Sequence, residues 1–217
     1  MAGEIRQLKI ENYERLLHKQ QAELRFYQSQ IRPHFILNCL TTIRNLAQQN
    51  RQEELEQFID AFSGFARCMF RTDCAPIRVR DELKQAEYFI ALQSVRYPER
   101  IFYLADAGED ALEAQLPAML IQTLVENSVK HGLDEGSQLS VFVKCTLEAG
   151  SLTVAVEDSG GGFSPSALEA VNAGQSSGFG LKNLRATLAL LYGDRASMVV
   201  KNIPGSGASV TVVIPQA

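Results

Sequence analysis

The chain of 217 residues carries 21 Lys and Arg against 25 Asp and Glu, a net charge of -4, and no basic block, which argues against a direct nucleic-acid binder. Hydrophobic residues make up 46% and charged residues 21%, ordinary for a globular protein, and no window approaches the ~18 apolar residues of a membrane span. The N-terminus lacks a signal-peptide pattern, and Cys39, Cys68, Cys74 and Cys145 form no C-x-x-C pair, so free thiols in a reducing cytosol are expected.

Residues 4 to about 50 contain no glycine and a single proline, Pro33. Ile10, Leu17, Leu24 and Ile31 recur every seven residues, with Tyr13, Leu16, Tyr27 and Phe35 at neighbouring core positions; this predicts a long helix with a coiled-coil-like seam. A second amphipathic segment, 53–71, puts Leu55, Phe58, Ile59, Phe62, Phe65, Met69 and Phe70 on one broad side. Joined through the polar stretch 48–52, the two make a helical hairpin. Its apolar surface predicts a homodimer, whose four helices form a bundle.

After a break at 72–76 the pattern turns mixed. A helix is expected over 81–96 and a short strand over 101–105. Pro117 suits the first turn of a helix running to His131 and ended by Gly132. Residues 139–147 and 152–158 alternate with period two, as strands do. The small residues of 165–177 predict a flexible loop, 181–192 a helix, and 198–202 and 208–214 two closing strands around the turn Gly205-Ser206-Gly207. The expected class is α+β: a helical hairpin over 1–74, then an α/β sandwich over 75–217 with helices on one face of a mixed, mostly antiparallel sheet.

Three segments then carry chemistry. On the helix from Pro117, the residues Thr123, Asn127, Lys130 and His131 share one face, while Ile121, Leu124, Val125 and Ser128 turn toward the sheet. An Asn amide oxygen is a hard ligand that suits Mg²⁺, and Lys130 supplies a point charge for phosphate. A solvated polar face would give the same stripe. Asp158 ends a strand just before Gly160, Gly161 and Gly162; its carboxylate could accept from an adenine amine while the glycines admit close backbone approach, or the segment could be a tight turn. Gly178-x-Gly180 opens a helix whose free N–H groups can hold phosphates, without the Gly-Lys-Ser/Thr of a P-loop.

Together, the segments 126–132, 158–162 and 178–181 resemble the N, G1 and G2 boxes of the GHKL (Bergerat-fold) ATP-binding superfamily. The fuller stretches 124–132, 180–185 and 191–193, with Gln30-Ile-Arg-Pro-His-Phe-Ile-Leu-Asn38, resemble the LytS/YehU-type sensor histidine kinases. The resemblance covers the chain from about residue 24. It implies ATP and Mg²⁺ as cofactors, with Asn127 holding the metal and Asp158 the adenine. Gly160, Gly162, Gly178 and Gly180 would shape the pocket and lid, with Lys130, His131, Leu181 and Asn183 lining it. It further implies that His34 receives the γ-phosphoryl group and passes it to an aspartate on a response regulator receiver domain. Any membrane attachment would lie upstream of residue 1. Two positions depart from the family. Thr187-Leu188 replaces an Arg-Leu, so one phosphate or lid contact is either absent or supplied elsewhere, with Arg185 and Lys182 as candidates, and Gly207-Ala208 replaces a Gly-Thr.

His34 sits on the long helix directly after Pro33, a mid-helix proline expected to remove one backbone hydrogen bond and kink the helix. A neutral imidazole leaves one ring nitrogen free to attack phosphorus. Asn38, one turn on, shares its face and could orient the ring. Phe35 stands where many histidine kinases carry an acid, which leaves Glu126 as a candidate general base. Two rival readings are a GHKL ATPase and a non-catalytic nucleotide-binding dimer. The ATPases resemble this pocket but carry a water-activating Glu four residues before the metal Asn, where this chain has Thr123.

Overall fold

The structure, a computed structural model, describes residues 33–69, 76–134, 136–174, 179–205 and 207–216, with the side chains at 33, 34, 69 and 179 left aside. The heptad seam at Ile10, Leu17, Leu24 and Ile31, the break at 72–75, Phe70, Cys74 and Gly178 lie outside the described residues, as does any kink that Pro33 would give a longer helix.

Helices α1 (Pro33–Gln48) and α2 (Gln52–Met69) form the expected hairpin. The turn between them forms where Asn50 takes a left-handed φ of 55°, which Asn tolerates, and the Arg51 N–H donates to the Leu46 carbonyl. Glu53 and Glu54 in the first turn of α2, and Arg67 in its last, complement the helix dipole. The broad apolar side of α2 divides in two: Phe58 and Phe65 are buried, whereas Ile59 is 40% exposed. On α1, Leu37 and Leu40 are 61% and 50% exposed.

Strand β1 (Ile77–Arg78) pairs antiparallel with β3 (Gln115–Leu116), and helix α3 (Val79–Arg96) begins directly after β1. This helix packs on the hairpin. A Cβ on Gly64 of α2 would fall 2.5–2.7 Å from atoms of the Tyr88 ring, so only glycine lets that ring lie against the α2 backbone. Beside it, the rings of Phe35, Phe65 and Phe89 meet at centroid separations of 5.1, 5.9 and 6.2 Å, within the range of favourable aromatic pairs. One continuous core therefore runs from Cys39 and Phe58 of the hairpin to Ile214 at the far end of the chain.

The remaining elements are β2 (Ile101–Ala107), α4 (Glu109–Glu113), α5 (Leu120–Gly132), β4 (Leu139–Glu148), β5 (Ser151–Asp158), α6 (Pro165–Asn172), α7 (Phe179–Tyr192), β6 (Ser197–Asn202) and β7 (Ala208–Pro215). Five strands form one sheet in the order β2-β4-β5-β7-β6. The β2–β4 pair is parallel and the other three are antiparallel. Alternation sorts each strand: Leu139, Val141, Val143 and Cys145 of β4 and Leu152, Val154 and Val156 of β5 point inward and are buried. Helices α3 and α5 cover that inner face, and α7 packs on α5. The result is the GHKL α/β sandwich with a mixed, mostly antiparallel sheet.

Two local expectations need correction. Residues 165–177 are not all loop, because α6 occupies the first eight. Ser164 accepts from the Ala167 N–H as N-cap, and Pro165 brings a helical φ to the first turn. Pro117 is not a first-turn residue of α5. The Leu120 N–H donates to the Pro117 carbonyl to close a turn, Met119 takes a left-handed φ of 70°, and the helix starts at Leu120. Among the described residues no helix is long and apolar enough to cross a membrane.

Candidate functional site

Helix α5 presents the site. Leu120, Ile121, Leu124, Val125, Ser128 and Val129 are buried toward the sheet, Thr123, Glu126 and Asn127 are half-buried, and Lys130 and His131 are exposed. The polar stripe read at helical spacing is therefore real, and it faces away from the core.

At the C-terminal end of α5, Asp158 is held in a web of donors. Ser128 Oγ donates to its Oδ2 at 3.0 Å, and the N–H groups of Gly160 and Ala208 donate to Oδ1 at 3.0 and 3.4 Å. An ionised carboxylate has about four lone-pair sites, so capacity for one more donor remains. The backbones around it are close. A Cβ on Gly160 would fall 2.4 Å from the Gly132 Cα, and one on Gly207 would fall 2.1 Å from the Asp158 carbonyl oxygen. Gly207 also needs its φ of +77°. Three glycines from distant parts of the chain thus converge on Asp158, Gly132 and Gly160 beside its carboxylate and Gly207 against its backbone. Beyond it, the Asn202 side chain clamps Phe163, accepting from its N–H and donating to its carbonyl, both at 2.8 Å, which fixes the chain just after Gly162.

The start of α7 lies over the middle of α5. A Cβ on Gly180 would come within 2.9 Å of Asn127 Nδ2 and 3.3 Å of the Thr123 methyl. The Asn127 Nδ2 is buried and has no hydrogen-bond partner. A buried unpaired donor is costly and rare in folded proteins, so this amide has hydrogen-bonding capacity that the protein itself does not use. Turned about its terminal bond, the same amide presents Oδ1. Among the described residues no three His, Cys, Asp or Glu side chains cluster, so the donor this chain offers here is that amide oxygen. It fits Mg²⁺ when phosphate oxygens and waters complete the coordination.

Other expected contacts fall elsewhere. Arg185 does not stand ready for phosphate, because its Nη2 donates to the carbonyls of Val171 at 3.2 Å and Met198 at 3.4 Å. Lys182, exposed on α7, is left as the basic candidate. Thr187 is buried at 5% exposure. Leu181 turns its side chain into the core, so what it offers a ligand is the backbone N–H of a first helical turn. At 208, Ala retains an N–H contact to Asp158 but provides no hydroxyl. Burial pushes the thiols of Cys39 and Cys145 up to about 11 and about 12, which removes both as nucleophiles near neutral pH.

A histidine kinase family profile matches residues 22–101, and the profile of histidine kinase-, DNA gyrase B-, and HSP90-like ATPases matches residues 113–217. The chain belongs to the histidine kinase family. Sensor histidine kinase YesM of Bacillus subtilis (strain 168) is 24% identical over 216 residues, covering 99% of this chain and 37% of its own length. Sensor histidine kinase YpdA of Escherichia coli (strain K12) is 32% identical over 193 residues, 87% of this chain and 34% of its own. This family member thus spans somewhat over a third of the length of those relatives. The catalytic domain of histidine kinase ThkA shares the fold, with a TM-score of 0.53 at 14% identity over 66% of this chain and 96% of that domain.

Sequence reasoning missed Glu82 of α3. It is fully buried, and its carboxylate accepts from the backbone N–H groups of Met119, Ile121 and Gln122 at 2.6, 3.0 and 3.3 Å, all at the entry of α5. Burial pushes its pKa up to about 7, opposed by those same hydrogen bonds. A signal was present: Glu82 shares the apolar stripe of Val79, Ala86 and Phe89, where a charge breaks the pattern.

Proposed function

We propose that this chain is the phosphotransfer core of a sensor histidine kinase in a two-component system. In this reading, residues 1–74 are the dimerising, phosphoaccepting hairpin and 75–217 the ATP-binding domain. The observation that carries it is the orphaned Asn127 amide beneath Gly180, on the same helix whose Ser128 donates to Asp158, a carboxylate with room for one more donor.

Asp158 accepts the adenine amine with its remaining lone pair. The first-turn N–H groups of α7, with Lys182 and Lys130, face the phosphates. When bound through Asn127, Mg²⁺ neutralises charge on the phosphate oxygens. A ring nitrogen of neutral His34 attacks the γ-phosphorus, a P–N bond forms, the bond to the β–γ bridging oxygen breaks and ADP leaves with the electron pair. The proton on the ring passes to Glu126 or to water, and Asn38, one turn along α1, orients the ring. An aspartate carboxylate of the receiver domain then attacks phosphorus and His34 departs. Thr123, at the position where a hydrolytic relative needs a carboxylate, cannot activate water near neutral pH. The exposed Leu37, Leu40 and Ile59 support a homodimer across the hairpin. In this reading the site lies on the cytoplasmic side.

The test is incubation with γ-labelled ATP and Mg²⁺. Acid-labile label on the wild type, lost in His34→Gln while ATP binding is retained, supports the kinase. Steady phosphate release without protein label would replace it with the ATPase reading.

A further inference from the structure

An α-helix begins with N–H groups that have no acceptor within the helix, and a side chain at the N-cap position usually supplies one. In α5 the N-cap is Met119, which makes no side-chain cap and stands in a left-handed conformation at φ 70°. The acceptor comes instead from Glu82, 37 residues earlier and on a different helix, whose two oxygens take three N–H groups between them. A carboxylate at this end also favours the helix dipole. The entry point of α5 is thus set by α3 rather than by its own flanking sequence.

What α5 carries makes that placement matter. Asn127 is six residues beyond Ile121, roughly 9 Å along a stiff helix at ~1.5 Å per residue. It sits under Gly180 with no slack, since even a single added carbon there would be 2.9 Å from its amide. A small axial movement of α5 therefore opens or closes the gap in which the amide meets its ligand. The middle of α3 is also tied. Phe89, seven residues after Glu82 and on the same side, packs on Phe35 and Phe65 of the hairpin.

We propose that Glu82 is a positioning residue for nucleotide binding: by capping α5 from α3, it holds Asn127 at the depth its metal-bridged contact requires. This rests on the reading of Asn127 as the Mg²⁺ ligand. The cap would stabilise α5 in any case, so its stabilising role and its positioning role need separate readouts.

The experiment is a double-mutant cycle on the 217-residue chain, with Glu82→Gln, Asn127→Ala and the pair. Calorimetry measures ATP affinity with Mg²⁺ and again with EDTA, and thermal unfolding checks each protein. Glu82→Gln is expected to weaken ATP binding about tenfold with Mg²⁺ and by less than about twofold with EDTA, and to have no further effect once Asn127 is Ala. If Glu82→Gln does not fold, Glu82→Asp keeps the charge, shortens the reach and is expected to show the same dependence on Asn127. Additive losses, or equal losses with and without Mg²⁺, would reduce Glu82 to a structural cap and overturn the proposal. No ATP binding by the wild type would overturn the kinase reading itself, and the proposal with it.

Discussion

Gly180 and Asn127 are in contact to the limit of packing: a Cβ on the glycine would lie 2.9 Å from the amide nitrogen and 3.1 Å from its oxygen. The first turn of α7 and the middle of α5 are held together at a point with no room for a methyl group. Gly180→Ala is therefore expected to displace the amide or lift α7. Alanine is a better helix former than glycine, so the helix itself is not expected to lose stability. MgATP affinity should fall by about tenfold or more with little change in unfolding midpoint. An unchanged affinity would mean that the contact is unimportant for binding.

Asn127→Ala separates ligand from scaffold in a different way. It removes a buried donor whose lack of a partner costs about 1–3 kcal/mol. The ligand-free protein should keep its stability within about 1 kcal/mol, or gain some. The rise in Tm that MgATP gives the wild type, which grows with the logarithm of ligand over Kd, should vanish. Thermal scans with and without MgATP read both quantities.

Asp158→Asn keeps the shape of the group but removes its charge and offers one acceptor oxygen in place of two. Ser128 Oγ, Gly160 N–H and Ala208 N–H all donate to the carboxylate, and adenine would be a fourth donor. Hydrogen bonds to a charged group contribute about 1.5–3 kcal/mol, so ATP affinity should drop by one to two orders of magnitude. Guanine lacks the exocyclic amine at that position, so GTP binding, however weak, should change far less.

Gly64→Ala tests the other junction. The new methyl group would meet the Tyr88 ring, and overpacking of this kind costs about 1–3 kcal/mol. Denaturant unfolding should shift by that amount. ATP affinity, set at the far side of α3, should stay within about twofold.

Glu82 gives the protein a pH dependence whose sign can be worked out. Its pKa rises from 4.5 to about 7 in the fold, through burial and, in smaller part, the neighbouring Asp81. The folded state therefore holds a proton more tightly than the unfolded chain. The associated stability is fully present below pH 4.5 and is lost as pH rises toward 7. Urea titrations between pH 5 and 7.5 should show the stability of the wild type falling relative to that of Glu82→Gln. Parallel curves would mean that the carboxyl is not titrating in that window.

Much of this fold was readable because period and punctuation agreed. The alternation at 139–147 and 152–158, and the stripe Thr123-Asn127-Lys130, each follow from one element's own spacing, and the structure keeps them. What escaped depended on contacts distant in sequence. Pro117 looked like a helix start because proline suits a first turn, but the acceptor that defines the start of α5 is Glu82, on another helix. Gly207 looked like half of a hairpin turn, yet its missing Cβ serves Asp158, 49 residues earlier. Arg185 looked like a phosphate contact until α6 and β6 were seen to take its guanidinium. Sequence reasoning missed the start of α6 although its signal is local, an N-cap Ser164 followed by Pro165.

The position after His34, filled in many related kinases by an acid, here holds a ring that stacks on Phe89 at 28° and 5.9 Å. Sliding the hairpin along α3 requires that ring and Phe65, both on the hairpin, to part from Phe89 together, and interlocked rings are either seated or withdrawn, with little between. The histidine is thus carried by a catch. Any shift of the hairpin against α3 is then stepwise rather than graded, because these rings part together or not at all.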